Sequence, residues 1–152
     1  MKKLEFKIDI ATSRQKVWNT MLNPETYKEW VKASWPGSYY EGNWKQGENL
    51  RFISPGQGGT LATLVELRPY EFILAKHIAV IGPDGTEDRD SDVAKGWIGT
   101  TESYTFTESN GKTQLKVEIN TSPDWEKMFS NGWPNALKKL KEICENRVAA
   151  SI

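Results

Sequence analysis

The chain has 152 residues, and its 20 basic side chains balance 20 acidic ones. A formal charge of zero supplies no general field to draw in nucleic acid or an anionic membrane, so neither is an expected partner. One cysteine, Cys144, cannot close an internal disulfide, and this points to a reducing, cytoplasmic setting.

The length suits one well-filled core, and a single domain is expected over residues 1–152. The opening MKKLEFKIDI interrupts its apolar residues with charges, so it lacks the apolar region of a signal peptide. No run approaches the roughly 18 apolar residues of a membrane span. In this stretch Leu4, Phe6, Ile8 and Ile10 alternate with Lys3, Glu5, Lys7 and Asp9, which predicts a strand with one buried face.

The period then becomes helical. Thr12 and Gln15 have capping-box spacing, and Val17, Trp18, Met21 and Leu22 make one apolar stripe. Asn23-Pro24 ends that helix and caps a short successor carrying Tyr27, Trp30 and Val31. Turn signals then punctuate a strand-rich middle. They predict strands at about 38–44, 48–54, 60–68, 71–81, 97–108 and 112–121, with ends good to about 2–4 residues. The last two form a hairpin, because Asn110-Gly111 suits a turn that needs positive φ.

Helical spacing returns near the C-terminus. Ser122-Pro123 caps a first piece bearing Trp125, Met128 and Phe129, and Asn131-Gly132 is expected to interrupt it. Pro134 then starts the longest helix, with Trp133, Leu137, Leu140, Cys144 and Val148 on one stripe. Lys138, Lys139, Lys141, Glu142 and Glu145 occupy its wet side. Consecutive strands with helices gathered at the two ends indicate an α+β fold, in which the long helix covers one face of an antiparallel sheet.

Three segments carry a family resemblance in this order and spacing: IDIATSRQKVWNTMLNPETYKEW (Ile8 to Trp30), GGTLATLVELRP (Gly58 to Pro69) and GWPNALKKLKEI (Gly132 to Ile143). With them the chain resembles the START-like (SRPBCC) superfamily, and within it the branch of homologues of activators of the heat-shock chaperone ATPase. The resemblance implies a helix-grip fold, a curved antiparallel sheet wrapped around the C-terminal helix with a cavity beneath. It also implies a binder of lipids, sterols or polyketides, a cyclase, or a chaperone-associated module. It brings no catalytic motif. The chain departs from the family pattern at Trp35-Pro36-Gly37 and Tyr39-Tyr40-Glu41-Gly42, and in the long polar segment from Gly82 to Gly96.

Candidate chemistry is sparse. His77 is the sole histidine, in phase with Ile73, Ala75, Ala79 and Ile81; it reads as an exposed or satisfied core residue, with a cavity proton donor or acceptor as the alternative. Glu102, in phase with Ile98, Thr100, Tyr104 and Phe106, reads as leaning to the rim or pairing with a basic residue; the alternative is a carboxyl inside an apolar hollow. Glu66 is the other ambiguous strand carboxylate. Asp88, Asp90 and Asp92 begin a calcium-loop pattern, but Val93 and Gly99 stand where Gly and Glu are needed, so a solvated acidic loop is expected. Cys144 reads as a small inert hydrophobe. One His and one Cys cannot supply a dedicated zinc site, and no metal or cofactor is expected.

Seven tryptophans remain. Trp18 and Trp133 fall on helical stripes, whereas Trp30, Trp35, Trp44, Trp97 and Trp125 lie near turns or element ends, where a cavity would have its mouth. The expected cavity residues are Trp30, Trp35, Phe52, His77, Trp97, Glu102, Tyr104, Met128, Trp133 and Leu137. The leading expectation is a non-catalytic domain that binds a small hydrophobic or aromatic molecule. The alternatives are a protein-interaction module acting on a chaperone ATPase, and a polyketide cyclase-like enzyme.

Overall fold

The structure, a computed structural model, describes residues 2–150, with side chains through Asn146; Val148 lies outside the described side chains. Strand β1 (Lys2–Ile10) keeps the expected alternation, with its lysines exposed and Ile10 fully buried. It pairs along its whole length with β8 (Lys112–Thr121), where Leu115, Val117 and Ile119 are fully buried. Between them in sequence come β2 (Tyr39–Glu41), β3 (Asn49–Ser54), β4 (Gly58–Arg68), β5 (Phe72–Ile81), β6 (Glu87–Asp88) and β7 (Thr101–Ser109). The curved sheet runs β1-β8-β7-β5-β4-β3-β2, with β6 on the free end of β5, and its pairings are antiparallel.

Helices α1 (Arg14–Leu22) and α2 (Pro24–Val31) follow β1, and α4 (Glu126–Ala150) ends the described chain. All three bury residues in one cluster with the sheet: Val17 and Met21 from α1, Trp30 from α2, and Phe129, Trp133, Leu137 and Leu140 from α4. The hydrophobic face of α4 therefore lies against the inner face of the sheet, as its stripe predicts, and Lys138 and Glu142 point to solvent. Asn23 caps α2 by accepting from Glu25 N at 2.9 Å, with Pro24 in the first turn. The Asn110-Gly111 turn has φ of 54° and 76° at its two residues, as expected for the tight β7–β8 hairpin.

Four local expectations are corrected. The N-cap of α1 is Ser13, whose Oγ accepts from Lys16 N at 3.2 Å; Thr12 is held by the sheet instead, its carbonyl accepting from Thr113 Oγ1. The strand expected at 38–44 shrinks to three residues, because Gly42 leaves the strand with φ of 117°. The strand expected from residue 97 begins at Thr101. Ser91 caps a short helix α3 (Asp92–Trp97) by accepting from Ala94 N, and Gly99 turns the chain at φ of 98°. That helix and β6 occupy the polar 82–96 segment.

The fourth correction concerns α4. A 3₁₀ turn (Pro123–Trp125) leads into it, and the helix then runs without interruption through Gly132 and Pro134. An interior Pro removes one helical hydrogen bond and crowds the preceding turn, at about 3 kcal/mol. Tertiary packing outweighs that cost. Phe129 and Trp133 before the proline and Leu137 and Leu140 after it are all buried in the core, so each side of the proline is anchored to the same face. Gly132 is a point of close approach and not a breaker: the Trp35 ring lies against it, and Ser34 Oγ donates to its carbonyl.

Two irregularities in the β4–β5 pairing matter for the site. Val65 is an extra residue on β4, and Ile78 is an extra residue on β5 between His77 and Ala79. The extra residue reverses the facing beyond it. Val80 then packs on the main core, while Ala79 and Ile81 join Leu61 in a separate cluster. His77 therefore does not share its face with Ala79 and Ile81, as strict alternation predicts.

A Cβ added at Gly132 would stand 2.4 Å from Trp35 Cζ2, whereas one at Gly96 in α3 would meet nothing within 4 Å. Gly132→Ala is expected to lower unfolding free energy by about 1–3 kcal/mol, and Gly96→Ala to raise it by about 0.5–1 kcal/mol, both read by urea denaturation. Glu145 joins α4 to the end of β1, accepting from Ala11 N at 2.8 Å and from Lys141 Nζ at 2.6 Å. The Lys141 hydrogen bond, with that from Ala11, holds its carboxyl below the usual range. Its stabilisation is then full above the ordinary carboxylate value and is lost as pH falls through the depressed one. Glu145→Gln should lower stability at neutral pH, with the gap to wild type closing in acid.

Candidate functional site

The sheet, α2 and α4 do not close completely on one another. They leave a cavity of about 190 Å³ between the β3–β5 side of the sheet and the start of α4. Its walls are aromatic and aliphatic, with Trp30 and Val31 from α2, Trp97 from α3, and Phe129 and Trp133 from α4. The rings touch in chains. Phe52, His77, Trp97 and Phe129 succeed one another at centroid distances of 6.1, 4.7 and 5.8 Å, and Trp133 touches Trp30, Trp35 and Tyr104. Trp97 and Phe129 stack and the others meet edge-on or tilted; aromatic pairs in such arrangements add about 0.5–1.5 kcal/mol each beyond simple burial.

One polar pair is set into this apolar lining. His77 Nε2 lies 2.7 Å from Glu102 Oε2, and the residues are 2% and 8% exposed. Backbone register makes the pair. Ala75 stands opposite Glu102 in the β5–β7 ladder, and His77 N donates to Thr100 O, so His77 and Glu102 are diagonal neighbours on one face. Both side chains line the cavity. An ionised carboxylate can only accept, so it requires the hydrogen on Nε2, and the neutral imidazole then keeps its lone pair on Nδ1.

Phenols flank the pair. Burial, reinforced by the Glu102 charge, pushes the hydroxyls of Tyr27 and Tyr104 far up, so both remain O–H donors. Among the described residues, the buried side-chain nitrogens without a hydrogen-bond partner are Trp44 Nε1, His77 Nδ1, Trp97 Nε1 and Trp133 Nε1. All four belong to side chains that line the cavity. The Trp44 indole, next to Tyr40, counteracts the rise that burial causes in that phenol, yet it falls short of hydrogen-bond geometry. Each unpaired buried group costs about 1–3 kcal/mol, so their concentration around one hollow is an unspent capacity for polar contact.

The structure brings nine of the ten expected cavity residues to this hollow: Trp30, Trp35, Phe52, His77, Trp97, Glu102, Tyr104, Met128 and Trp133. Leu137 is not among its lining; it is buried in the core one turn further along α4. His77 is a buried residue and not an exposed one, paired at Nε2 and unpaired at Nδ1, and Glu102 meets this histidine instead of leaning to the rim or pairing with Arg or Lys. Ile98, expected on the Glu102 strand, follows α3 and lies outside it. Met21, Tyr27 and Phe129 join the lining without having been expected there; their helical stripes marked them as apolar-facing, and nothing in their spacing separates cavity from core. Trp125 packs on Trp97 from behind, at 5.4 Å.

The remaining candidates resolve simply. Asp88 accepts from Ser91 Oγ and from the amides of Asp90 and Ser91, bracing the start of α3, and these bonds hold its carboxyl low. Glu66 pairs with Arg68 on the surface. Cys144 is buried, and desolvation pushes its thiol up to about 11, away from nucleophilic use. Among the described residues, no group of three or more His, Cys, Asp or Glu is placed to hold a metal ion, and no helix is long and apolar enough to cross a membrane.

Glu102→Ala would leave His77 with neither ring nitrogen paired in a buried site. The expected loss is about 1–3 kcal/mol of unfolding free energy. Glu102→Gln keeps a hydrogen-bonding oxygen at the same reach and should lose less, as urea denaturation of the two variants would read.

Comparison with known proteins places this geometry. Residues 11–145 match the model of the family described as activator of Hsp90 ATPase homolog 1-like protein. No curated protein matches. Among solved structures, the chain is similar to protein MLL2253 from Mesorhizobium loti, at 15% identity and TM-score 0.72, covering 95% of this chain and 98% of that one. It is similar to the Aha1 dimer from Colwellia psychrerythraea, at 18% identity and TM-score 0.72, covering 95% and 97%. It is also similar to DynU16, a protein of the dynemicin biosynthetic locus, at 13% identity and TM-score 0.68, covering 95% of this chain and 48% of that one. These identities speak for the fold alone. With a curved antiparallel sheet around a long C-terminal helix and a family match over most of its length, the chain belongs to the activator of Hsp90 ATPase homolog 1-like family of the START-like superfamily.

Proposed function

We propose that this protein binds a small aromatic molecule of one or two rings in the cavity between sheet and α4. The observation that carries this reading is the aromatic-walled hollow of about 190 Å³ with a buried polar pair in its lining. Size narrows the ligand class. An apolar cavity of about 150 Å³ is enough to hold benzene, while sites for drug-sized ligands run from about 300 to 1,000 Å³. A sterol or long acyl chain exceeds the space, so the broad class of lipids, sterols and polyketides contracts to its smallest aromatic members. Ring faces supply stacking, and the phenols and indoles around the hollow supply donors for one or two oxygens on the ligand. The neighbour from a biosynthetic locus is in keeping with small-molecule handling in this fold.

The family description also names a chaperone ATPase activator, and a docking role of that kind calls for a contiguous exposed patch. Among the described residues the exposed large hydrophobics are Val65, Val93 and Met128, on three different elements, and Met128 faces the cavity. The cavity reading is therefore the stronger of the two.

Titration with two-ring aromatic ketones and phenols, followed by Trp fluorescence, is expected to saturate, whereas a sterol and a long-chain fatty acid should leave the signal unchanged. Thr60 lines the hollow on the central sheet. Thr60→Phe should fill it and weaken binding at least about tenfold, or ~1.4 kcal/mol, with circular dichroism unchanged. Failure of every small aromatic to bind would overturn the proposal.

A further inference from the structure

Resting on that reading, we infer that the cavity is also a site of proton transfer, with His77 Nδ1 as the base that removes a proton from the carbon beside the carbonyl of a small aromatic ketone. Binding alone does not account for the pair. A single polar group is enough to orient a ligand, whereas here an imidazole and a carboxylate are held 2.7 Å apart by the β5–β7 register. The arrangement has the parts that general-base chemistry needs. A carboxylate fixes one ring nitrogen as the donor, the other nitrogen has no partner among the described residues, and both side chains belong to a hollow that can hold a substrate.

Oxygen-stabilising groups stand nearby. Tyr27 and Tyr104 both line the hollow, and both feel the Glu102 charge. As protonated phenols they can donate to an oxygen that gains charge, while an ionised phenol could not. Among the described lining residues Tyr39 is the one further titratable group, so the roles are few. Nδ1 is buried in this structure, so the ring turns toward the ketone to meet it, and His77 is then the catalytic residue. Glu102 acts through His77, by setting its tautomer and stabilising the imidazolium, and is a positioning residue.

The step balances without a further reactant. The C–H bond breaks, its electron pair forms the carbon–carbon double bond of the enolate, and the carbonyl π pair moves to oxygen. The proton goes to His77 Nδ1, giving an imidazolium paired with the Glu102 carboxylate, and a phenol O–H donates to the enolate oxygen. Reversal returns a proton to the carbon. In deuterium oxide the imidazolium exchanges with solvent, so the returning particle is a deuteron and the ketone is labelled.

The test uses the whole chain and 2-tetralone, a two-ring ketone whose exchangeable carbon lies between ring and carbonyl. Proton NMR follows loss of the α-CH signal in deuterium oxide, and Trp fluorescence measures binding in parallel. Wild type is expected to raise the exchange rate about a hundredfold over buffer. At ketone concentrations that saturate each protein by Trp fluorescence, His77→Gln and Glu102→Gln should lose most of that rate. For Glu102→Gln the rate is expressed per bound ketone, with the bound fraction read from Trp fluorescence. Lost folding lowers binding and exchange together, whereas loss of a positioning contact lowers the rate per bound ketone, and circular dichroism verifies the fold of each variant. Bound ketone with exchange no faster than buffer overturns this inference and leaves the binding proposal standing. Exchange undiminished in His77→Gln also overturns it. Absence of binding to wild type overturns both.

Discussion

Aromatic rings decide how close α4 can come to the sheet. Trp133 meets Tyr104 from the sheet, Trp30 from α2 and Trp35 from the loop beyond it, all at centroid distances of 5.8 to 5.9 Å. Rings packed edge to face or tilted are stiff spacers, because protein interiors tolerate neither overlap nor large compression. Further along α4, Leu137, Leu140, Ile143 and Cys144 lie directly on the core with no hollow. At the ring-bearing end the same helix is held off, and the space beneath it becomes the cavity. Trp35 reaches Trp133 only because residue 132 has no side chain to block it.

That geometry places a polar pair where its chemistry is strongest. In the interior a charge or an unpaired donor is poorly screened, so each polar contact counts for more than it would at the surface. The surface ion pairs of this protein, such as Glu66 with Arg68, are exposed and contribute little. The buried His77–Glu102 contact is of a different kind. It lies within an apolar lining whose protonated phenols can serve a ligand's oxygen. Binding and proton transfer would use the same few groups, and the cavity volume limits both to small rings.

The fold was legible from periodicity to an unusual extent. Alternation in β1 and β8, the Asn23-Pro24 and Asn110-Gly111 signals and the stripe on α4 all state local rules that the tertiary structure obeys. Where local rules failed, a competing tertiary interaction is visible. Gly132 and Pro134 read as a break, yet the burial of Phe129, Trp133, Leu137 and Leu140 on one face carries the helix through them. The polar 82–96 segment does not read as helical, because the N-cap of α3, Ser91, is a weak signal in a segment already rich in Asp.

The sequence by itself determined the class of fold, the identity of the inward faces and most of the residues that surround the hollow, because those depend on periods of two and 3.6 along one segment. Only the tertiary structure decided that His77 meets Glu102. Twenty-five residues separate them, and their contact depends on the β5–β7 register and on the side of the extra residue Ile78 where His77 falls. A one-residue slip would turn either side chain to the opposite face. The volume of the hollow was likewise beyond reach of pattern, since Tyr104 and Leu137 are equally buried and apolar-facing, and only packing in three dimensions leaves space beside one and none beside the other.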